Sequence, residues 1–207
     1  QAVMRASEKK PVAASMGSTA ASGGYYIAIG ADKIYANGGT ITGYIGVISQ
    51  LFNIQGVLDK VDVKVHTVKT GKFKDAGSPF REFEPSDRQY FQDLITDIYD
   101  QFVEDVAERR ELELAEVREL ADGSVYTGRQ AKELELVDEI GTFHDTVEYL
   151  KGEAGIEGEA SLVYPPKEDM GFLSQVVESA TDTALDAAVD SAKSSQTPVV
   201  EYRMVSP

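Results

Sequence analysis

The sequence MGSTAASGGYYIA, residues 16–28, decides how the surrounding chain folds. The apolar run before it, residues 11–15, predicts a short buried strand, and the pattern from the tyrosine pair onward predicts a helix. A strand that turns sharply into a helix through Gly, Ala and Ser can present a nucleophile. Ser22 lies at this turn and is followed by two glycines. The residue types therefore predict either a helix N-cap, the commoner role of serine, or a nucleophile.

Composition places the chain among globular proteins of one domain, or one domain with an appendage, since it has 207 residues with 42% hydrophobic and 27% charged content. A formal charge of −15 argues against nucleic acid and anionic membrane surfaces as partners, and it would tolerate cationic peptides. The chain has no Cys and two His, so disulfides and thiol catalysis are excluded and a His-rich metal site is not expected. The sequence contains no stretch of about 20 apolar residues, so no transmembrane helix is predicted. We expect no metal and no cofactor.

Strand and helix patterns alternate, which predicts an α/β fold with a largely parallel sheet. Besides the first strand, strands are predicted at residues 33–38, from about 47, at 61–68 and at 136–138. Helices are predicted at residues 24–30, 54–61, 86–110, 114–121, 127–133 and 142–151. Capping boxes are predicted at Ser86 with Gln89 and at Thr127 with Gln130.

The composition changes after residue 151, which predicts two parts. Residues 1–151 form the expected compact core, and residues 152–207 form an extension of linker, strand, Ala-rich helix and extended tail. The tail sequence PVVEYRMV either adds as a strand to a neighbouring subunit, lies in a substrate groove, or forms an edge strand of its own domain.

A serine nucleophile needs a base to accept its proton. His66, with Asp75 as an orienting group, would complete a Ser-His-Asp constellation, although a histidine on a strand is more often structural. His144 is most simply a surface residue of a helix. The remaining candidates are Lys72 and Lys74, which otherwise are two solvated surface lysines.

A lysine accepts a proton once burial or a neighbouring cation favours its uncharged form. Phe73 and Phe80 are the expected apolar cover for such an amine, and Lys72 or Arg81 is the expected neighbouring charge. Because a facing carboxylate would favour the ammonium instead, we expect Asp75 to turn away.

Four segments occur in order: MGSTAASGGYYIA, ANGGTITGYIGVI, TGKFKDAGSPFREF and DGSVYTGRQAKELELVD. Together they closely resemble the signal peptide peptidase A family of bacterial and archaeal membrane-associated serine proteases. The resemblance extends from about Lys10 to Tyr149. Each motif alone is weak, whereas four at matching spacing are specific.

The resemblance implies a Clp protease/crotonase-like spiral of βαβ units, with a C-terminal helix and strand extension, and assembly of subunits into rings. It also implies a Ser-Lys dyad in place of a triad. Ser22 matches the nucleophile and Lys74 the general base, while Lys72 does not occupy the place of the base. The Gly23 N–H would be one oxyanion-hole donor. Activity should then rise with pH as the lysine base loses its proton.

Two departures from the family pattern follow. Where this chain has Tyr44, the family usually has a Ser whose hydroxyl helps to hold the base. We expect either that the Tyr44 phenol supplies this support from farther away or that the support is missing. The second oxyanion donor of the family comes from a Gly-Gly turn upstream of the nucleophile, and we expect that segment and the membrane anchor to be absent from this chain. Losing one donor costs about 100- to 1,000-fold in rate, so this piece alone is expected to be feeble.

The leading hypothesis is a serine endopeptidase that degrades remnant signal peptides and similar apolar peptides at a bacterial or archaeal cell membrane, with the catalytic domain on the extracytoplasmic side. A related protease of another membrane protein or of a phage-type scaffold is the nearest alternative. Two other classes remain open, namely an acyl-CoA hydratase or isomerase of the same fold, and a catalytically silent scaffold.

Overall fold

The computed structural model describes residues 1–164, and Gln1–Ala160 form one compact unit. The helices are α1 (Ala2–Ser7), α2 (Gly23–Ala28), α3 (Gln55–Lys60), α4 (Pro85–Arg110), α5 (Leu114–Leu120), α6 (Gly128–Glu133) and α7 (Phe143–Glu153). The strands are β1 (Ala13–Met16), β2 (Thr19–Ala21), β3 (Lys33–Ala36), β4 (Ile41–Gly43), β5 (Val125–Thr127) and β6 (Glu139–Ile140).

The strands form two small sheets of three strands each, in the orders β1-β3-β6 and β2-β4-β5. Three of the four pairings are parallel and only β4 with β5 is antiparallel. This arrangement confirms the predicted α/β class with a largely parallel sheet. Strand β1 continues through a two-residue break into β2, so one short segment contributes to both sheets and ends at Ser22.

The long helix α4 is where the sequence pattern predicted it, but its cap differs. The capping box is formed by Glu84 and Asp87, with Pro85 in the first turn, and not by Ser86 and Gln89. Pro favours the first helical position because the N–H that it lacks has no intrahelical acceptor there. The box at Thr127 and Gln130 is confirmed.

The core lies where α2, α4, α5 and α6 meet the strands. Its fully buried side chains include Tyr25, Ile34, Ile45, Val103, Val106, Val117 and Leu136. The Tyr25 hydroxyl donates to the Leu136 carbonyl at 3.0 Å, which satisfies the one polar atom of that buried ring. Burial raises the pKa of Tyr25 well above its ordinary value. Tyr25 thus anchors α2 in the core, while Tyr26 begins the exposed face of this helix.

Two predicted strands are wrong, and a third, predicted at residues 136–138, is displaced, since β6 covers Glu139–Ile140. The segments from residue 47 and over 61–68 have no strand assignment and belong to neither described sheet, and most of their residues are exposed. Alternation of apolar residues specifies which face of a strand would be buried, but a strand also needs a partner for its backbone groups. Strands β2, β4 and β5 were not predicted, because each has only three residues.

The apolar stripe of α4 is buried only in its C-terminal half. Phe102, Val103 and Val106 are buried, whereas Leu94 and Ile98 remain 44% exposed. The structure therefore leaves the N-terminal half of this stripe uncovered by the described residues.

No helix within residues 1–164 combines the length and the apolar character needed to cross a membrane. No strand is assigned over 161–164. The Ala-rich helix and the extended tail that the sequence predicts lie outside the described residues, and the boundary near residue 151 stays a prediction.

Candidate functional site

Ser22 occupies a strained turn between β2 and α2. Its backbone has φ 53° and ψ −119°, a conformation that favours glycine. The turn is held on its strand side, because the Ser22 N–H donates to the Gly43 carbonyl at 2.8 Å. On its helix side the Ser22 carbonyl accepts from Tyr26 N–H at 2.8 Å. The neighbouring structure thus fixes a serine in a conformation that costs about 1–3 kcal/mol.

The Ser22 hydroxyl is not used as a helix cap. Although Ser22 stands at the N-cap position of α2, its side chain makes no capping hydrogen bond. No hydrogen bond of this hydroxyl to any other described residue is present either. The commoner role of a serine at such a turn is therefore not the one that the structure shows, and the hydroxyl is left half-buried and available.

A cavity of about 820 Å³ opens beside Ser22. Its walls are formed by the start of α2, the segment after β4, the middle of α4 and the turn after α5. The residues that line it are Ser22, Gly23, Tyr26, Tyr44, Gly46, Val47, Ile48, Ile98, Tyr99, Gln101, Phe102, Ala121, Asp122 and Gly123. A cavity of this size accommodates a short peptide segment or several side chains.

Three of the four predicted site residues meet at this cavity. Ser22, Gly23 and Tyr44 all line it. Gly23 begins α2, where the first backbone N–H groups have no intrahelical acceptor. Tyr44 has a left-handed backbone with φ 56°, and its N–H donates to the Ser124 carbonyl at 2.9 Å, which ties it to the turn after α5.

Lys74, the fourth predicted site residue, does not line the cavity. It lies in a turn before α4, where its N–H donates to the Gly71 carbonyl at 3.2 Å, and its side chain is exposed. The expected apolar cover is wrong for the single chain, because Phe73 stacks on Tyr90 with ring centroids 5.0 Å apart, and Phe80 is itself 44% exposed.

The turn that carries Lys74 is fastened to α4 by ion pairs. Arg81 donates through Nη2 to Asp87 Oδ1 at 2.9 Å and to Asp75 Oδ1 at 3.2 Å, and Lys69 donates to Asp75 at 2.6 Å. The hydrogen bond from Lys69, together with that from Arg81, holds the pKa of Asp75 below its ordinary value. Its carboxylate is thus paired with these two cations, and no ion pair joins it to Lys74 within the described residues.

Contacts with helix α4 indicate how far apart the two candidate groups, Ser22 and Lys74, lie. Tyr26, one turn after Ser22, packs edge-on against Phe102, while Phe73, next to Lys74, stacks on Tyr90. Tyr90 and Phe102 are twelve positions apart in sequence, which corresponds to about 18 Å along the helix axis. The two groups thus lie against different parts of α4.

Neither histidine belongs to the site. His66 lies in an exposed segment and not on a strand, and Asp75 is engaged with Lys69 and Arg81. His144 is an exposed residue of α7, as expected. No cluster of potential metal ligands occurs within residues 1–164.

Several cavity residues were missed by sequence reasoning. Ile98, Tyr99 and Phe102 lie within the predicted helix 86–110, and they form a wall of the cavity. Asp122 directly follows the predicted helix 114–121 and was not singled out as a site residue. The signal available in the sequence was the excess of apolar residues on α4 beyond what one face needs.

A serine held in a strained strand-to-helix turn beside a cavity, on an α/β scaffold, is typical of serine hydrolases. Residues 4–157 match the model of peptidase family S49. Since this match covers well over half of the chain, the protein belongs to peptidase family S49. The resemblance described from the four motifs is thereby confirmed.

Several relatives with similar sequences are named as proteases. They include a candidate protease of Synechocystis sp. (47% identical over 151 residues, 73% of this chain and 54% of the relative). A candidate signal peptide peptidase SppA of Enterococcus faecium is 40% identical, over 79% of this chain and 47% of the relative. Protease 4 of Haemophilus influenzae is 38% identical, over 67% of this chain and 22% of the relative. This chain spans about half the length of the first two relatives. Among solved structures, a member of the enoyl-CoA hydratase/isomerase family from Hyphomonas neptunium is similar at 17% identity and a TM-score of 0.37, over 73% of this chain and 41% of that one.

Proposed function

We propose that this protein is a serine endopeptidase in which Ser22 is the nucleophile and Lys74 the general base. The observation that carries the proposal is the strained backbone of Ser22, whose hydroxyl has no hydrogen bond to another described residue and lines a cavity. A fold retains strain of this kind where function requires it.

The reaction proceeds by acyl transfer. An uncharged Lys74 amine accepts the Ser22 proton while Oγ attacks the peptide carbonyl carbon, and the Gly23 N–H donates to the resulting oxyanion. The ammonium then returns the proton to the leaving nitrogen as the C–N bond breaks. Water, deprotonated by the same amine, attacks the acyl-enzyme and releases the acid and the serine.

We propose that the lysine base of each site comes from a neighbouring copy of the chain. Three observations support this: Lys74 is exposed, it is absent from the lining of the cavity beside Ser22, and its turn contacts a part of α4 about 18 Å away from the part that α2 contacts. The ion pairs that fasten the turn also oppose a large movement toward Ser22 within one chain.

Exposed apolar side chains lie on both segments adjoining this turn. Ile48 is 72% exposed, Phe52 80% and Val68 99%. Exposed apolar side chains that form one patch mark protein contacts. A heterologous contact that repeats and closes gives a ring, the assembly that we propose here.

For the substrate, we propose remnant signal peptides and other peptides with apolar segments, delivered at a bacterial or archaeal membrane. The cavity walls from α4, Ile98, Tyr99 and Phe102, supply apolar surface for such side chains. Tyr44, at the rim of the cavity, is proposed as a polar support for the incoming amine.

Co-expression of two inactive variants tests the assignment. Ser22→Ala and Lys74→Ala are expected to lack peptidase activity alone in the full-length protein. In a random mixed assembly, about a quarter of sites receive a normal serine from one copy and a normal lysine from its neighbour. Activity per site should return to about that fraction of the wild type. Labelling of Ser22 by a fluorophosphonate provides an independent readout.

Each outcome decides one part of the proposal. No recovery in a mixed assembly, with an active wild type, would show that the dyad forms within one chain. Normal turnover by Lys74→Ala would remove the lysine from the mechanism. A wild-type protein that neither cleaves peptides nor labels at Ser22 would favour the silent scaffold. Lys72→Ala is the matched control, because it removes a neighbouring amine of the same turn.

A further inference from the structure

The cavity beside Ser22 contains one ionised side chain, that of Asp122, and no cationic side chain among the residues that line it. The hydrogen bonds from the Ser124 side chain and backbone N–H hold the pKa of Asp122 below its ordinary value, so this carboxyl is ionised at neutral pH. No ion pair joins Asp122 to another residue within the described part of the chain.

The position of Asp122 is fixed relative to Ser22 by the backbone. Ser22 N–H donates to Gly43, which pairs with Val125 in the small sheet. The next links are Tyr44 N–H to the Ser124 carbonyl, at 2.9 Å, and Gly123 N–H to the Ile45 carbonyl, at 3.2 Å. Asp122 precedes these paired residues directly, so its carboxylate cannot move far from the cavity without breaking the ladder.

The remainder of the cavity is largely apolar. The ring of Tyr26 packs against Phe102 with centroids 4.8 Å apart, and Ile98 and Tyr99 extend the same wall. Tyr26 donates its hydroxyl to Asp105 on α4, which places a second carboxylate next to this wall. An apolar wall with a carboxylate at its rim fits a long aliphatic side chain with a cationic end, since such a side chain buries its stem and keeps its head hydrated.

We propose that Asp122 gives the peptidase a preference for peptides with Lys or Arg at the residue whose carbonyl Ser22 attacks. The inference rests on the proposed function, because it concerns the same cavity and the same reaction. Asp122 acts as a specificity-determining residue that binds the substrate ammonium or guanidinium. The apolar walls also admit Leu, so the carboxylate sets a preference among side chains and is not required for cleavage.

The test compares Lys and Leu at this position in otherwise identical peptides, with full-length wild type and Asp122→Asn. Asn retains the oxygen that accepts from Ser124 N–H and removes only the charge. The ratio of kcat/KM for the Lys peptide to that for the Leu peptide is expected to fall by about two- to fivefold, the upper part of the range of an exposed ion pair. Raising the ionic strength should reduce the wild-type ratio as well. Asp59→Asn on α3 is the matched control, an exposed carboxylate outside the cavity.

An unchanged ratio in Asp122→Asn would overturn the inference, as would a wild type that cleaves the Lys peptide no better than a Glu peptide. These failures differ from failure of the proposed function. If Ser22 is not the nucleophile, Ser22→Ala keeps its activity toward every peptide. If only the specificity is wrong, Ser22→Ala is inactive while Asp122→Asn has the wild-type ratio.

Discussion

Replacement of Ser22 by glycine should stabilise the protein while abolishing its activity. The backbone at φ 53° and ψ −119° is strained for any residue with a Cβ, at a cost of about 1–3 kcal/mol, and glycine adopts it freely. The greater freedom of glycine in the unfolded chain offsets about 0.5–1 kcal/mol of this gain. The free energy of unfolding should therefore rise by about 1 kcal/mol, which corresponds to a Tm increase of about 2–4 °C for a chain of this size.

Ser22→Ala is the matched control, because it removes the hydroxyl and keeps the Cβ and its strain. Thermal and urea unfolding should place Ser22→Ala near the wild type and Ser22→Gly above both. Equal stability of the Gly and Ala variants would show that the turn carries no strain, and the structural argument for a functional Ser22 would fail. Activity loss in both variants, with stability gained in only one, separates the chemistry from the fold.

Two further predictions concern the scaffold that positions the site. Gly128→Ala places a Cβ 2.1 Å from the Asn37 carbonyl oxygen, so we expect a loss of about 2–4 kcal/mol in the free energy of unfolding. Gly56→Ala is the control, because its Cβ lies in open space on α3, and it should be neutral or slightly stabilising. Equal stability of the two variants would contradict the close approach at Gly128. Burial raises the pKa of Asp138, but hydrogen bonds from Arg110 and a backbone N–H outweigh it and leave the pKa below its ordinary value. Asp138→Asn should cost about 2 kcal/mol at pH 7. The benefit of the ionised carboxyl is present above its unfolded pKa of about 4 and is lost as pH falls through the lower native pKa, so the difference between wild type and variant, measured by urea unfolding, should shrink below about pH 4. A difference that is constant down to pH 2 would refute the assigned role of this ion pair.

The local sequence was sufficient for elements whose determinants lie within one turn. The helix predicted at residues 86–110 matches α4, Pro85–Arg110, almost to the residue, and the Thr127 box predicted the start of α6. The predicted capping box of α4 was misplaced by two residues. Asp87 of the actual box is held by a hydrogen bond from Arg81, and this contact cannot be predicted from helical spacing.

The order and spacing of the four motifs also predicted the family and three residues of the site. Ser22, Gly23 and Tyr44 meet because β2 and β4 pair and bring their ends together. The strand-to-helix turn at Ser22 was predicted from small residues alone, since their lack of bulk is a local property.

By itself the sequence determined the strand–turn–helix unit around Ser22, the α/β class and the family, because these depend on residue size, periodicity and motif spacing along the chain. Only the tertiary structure decided that the Ser22 hydroxyl is not a cap, that segment 61–68 pairs with neither described sheet, and that Lys74 lies exposed and apart from the cavity. These features depend on contacts between residues far apart in sequence. The type of a residue does not reveal which distant residue will cover it or bind it, or whether it will remain exposed.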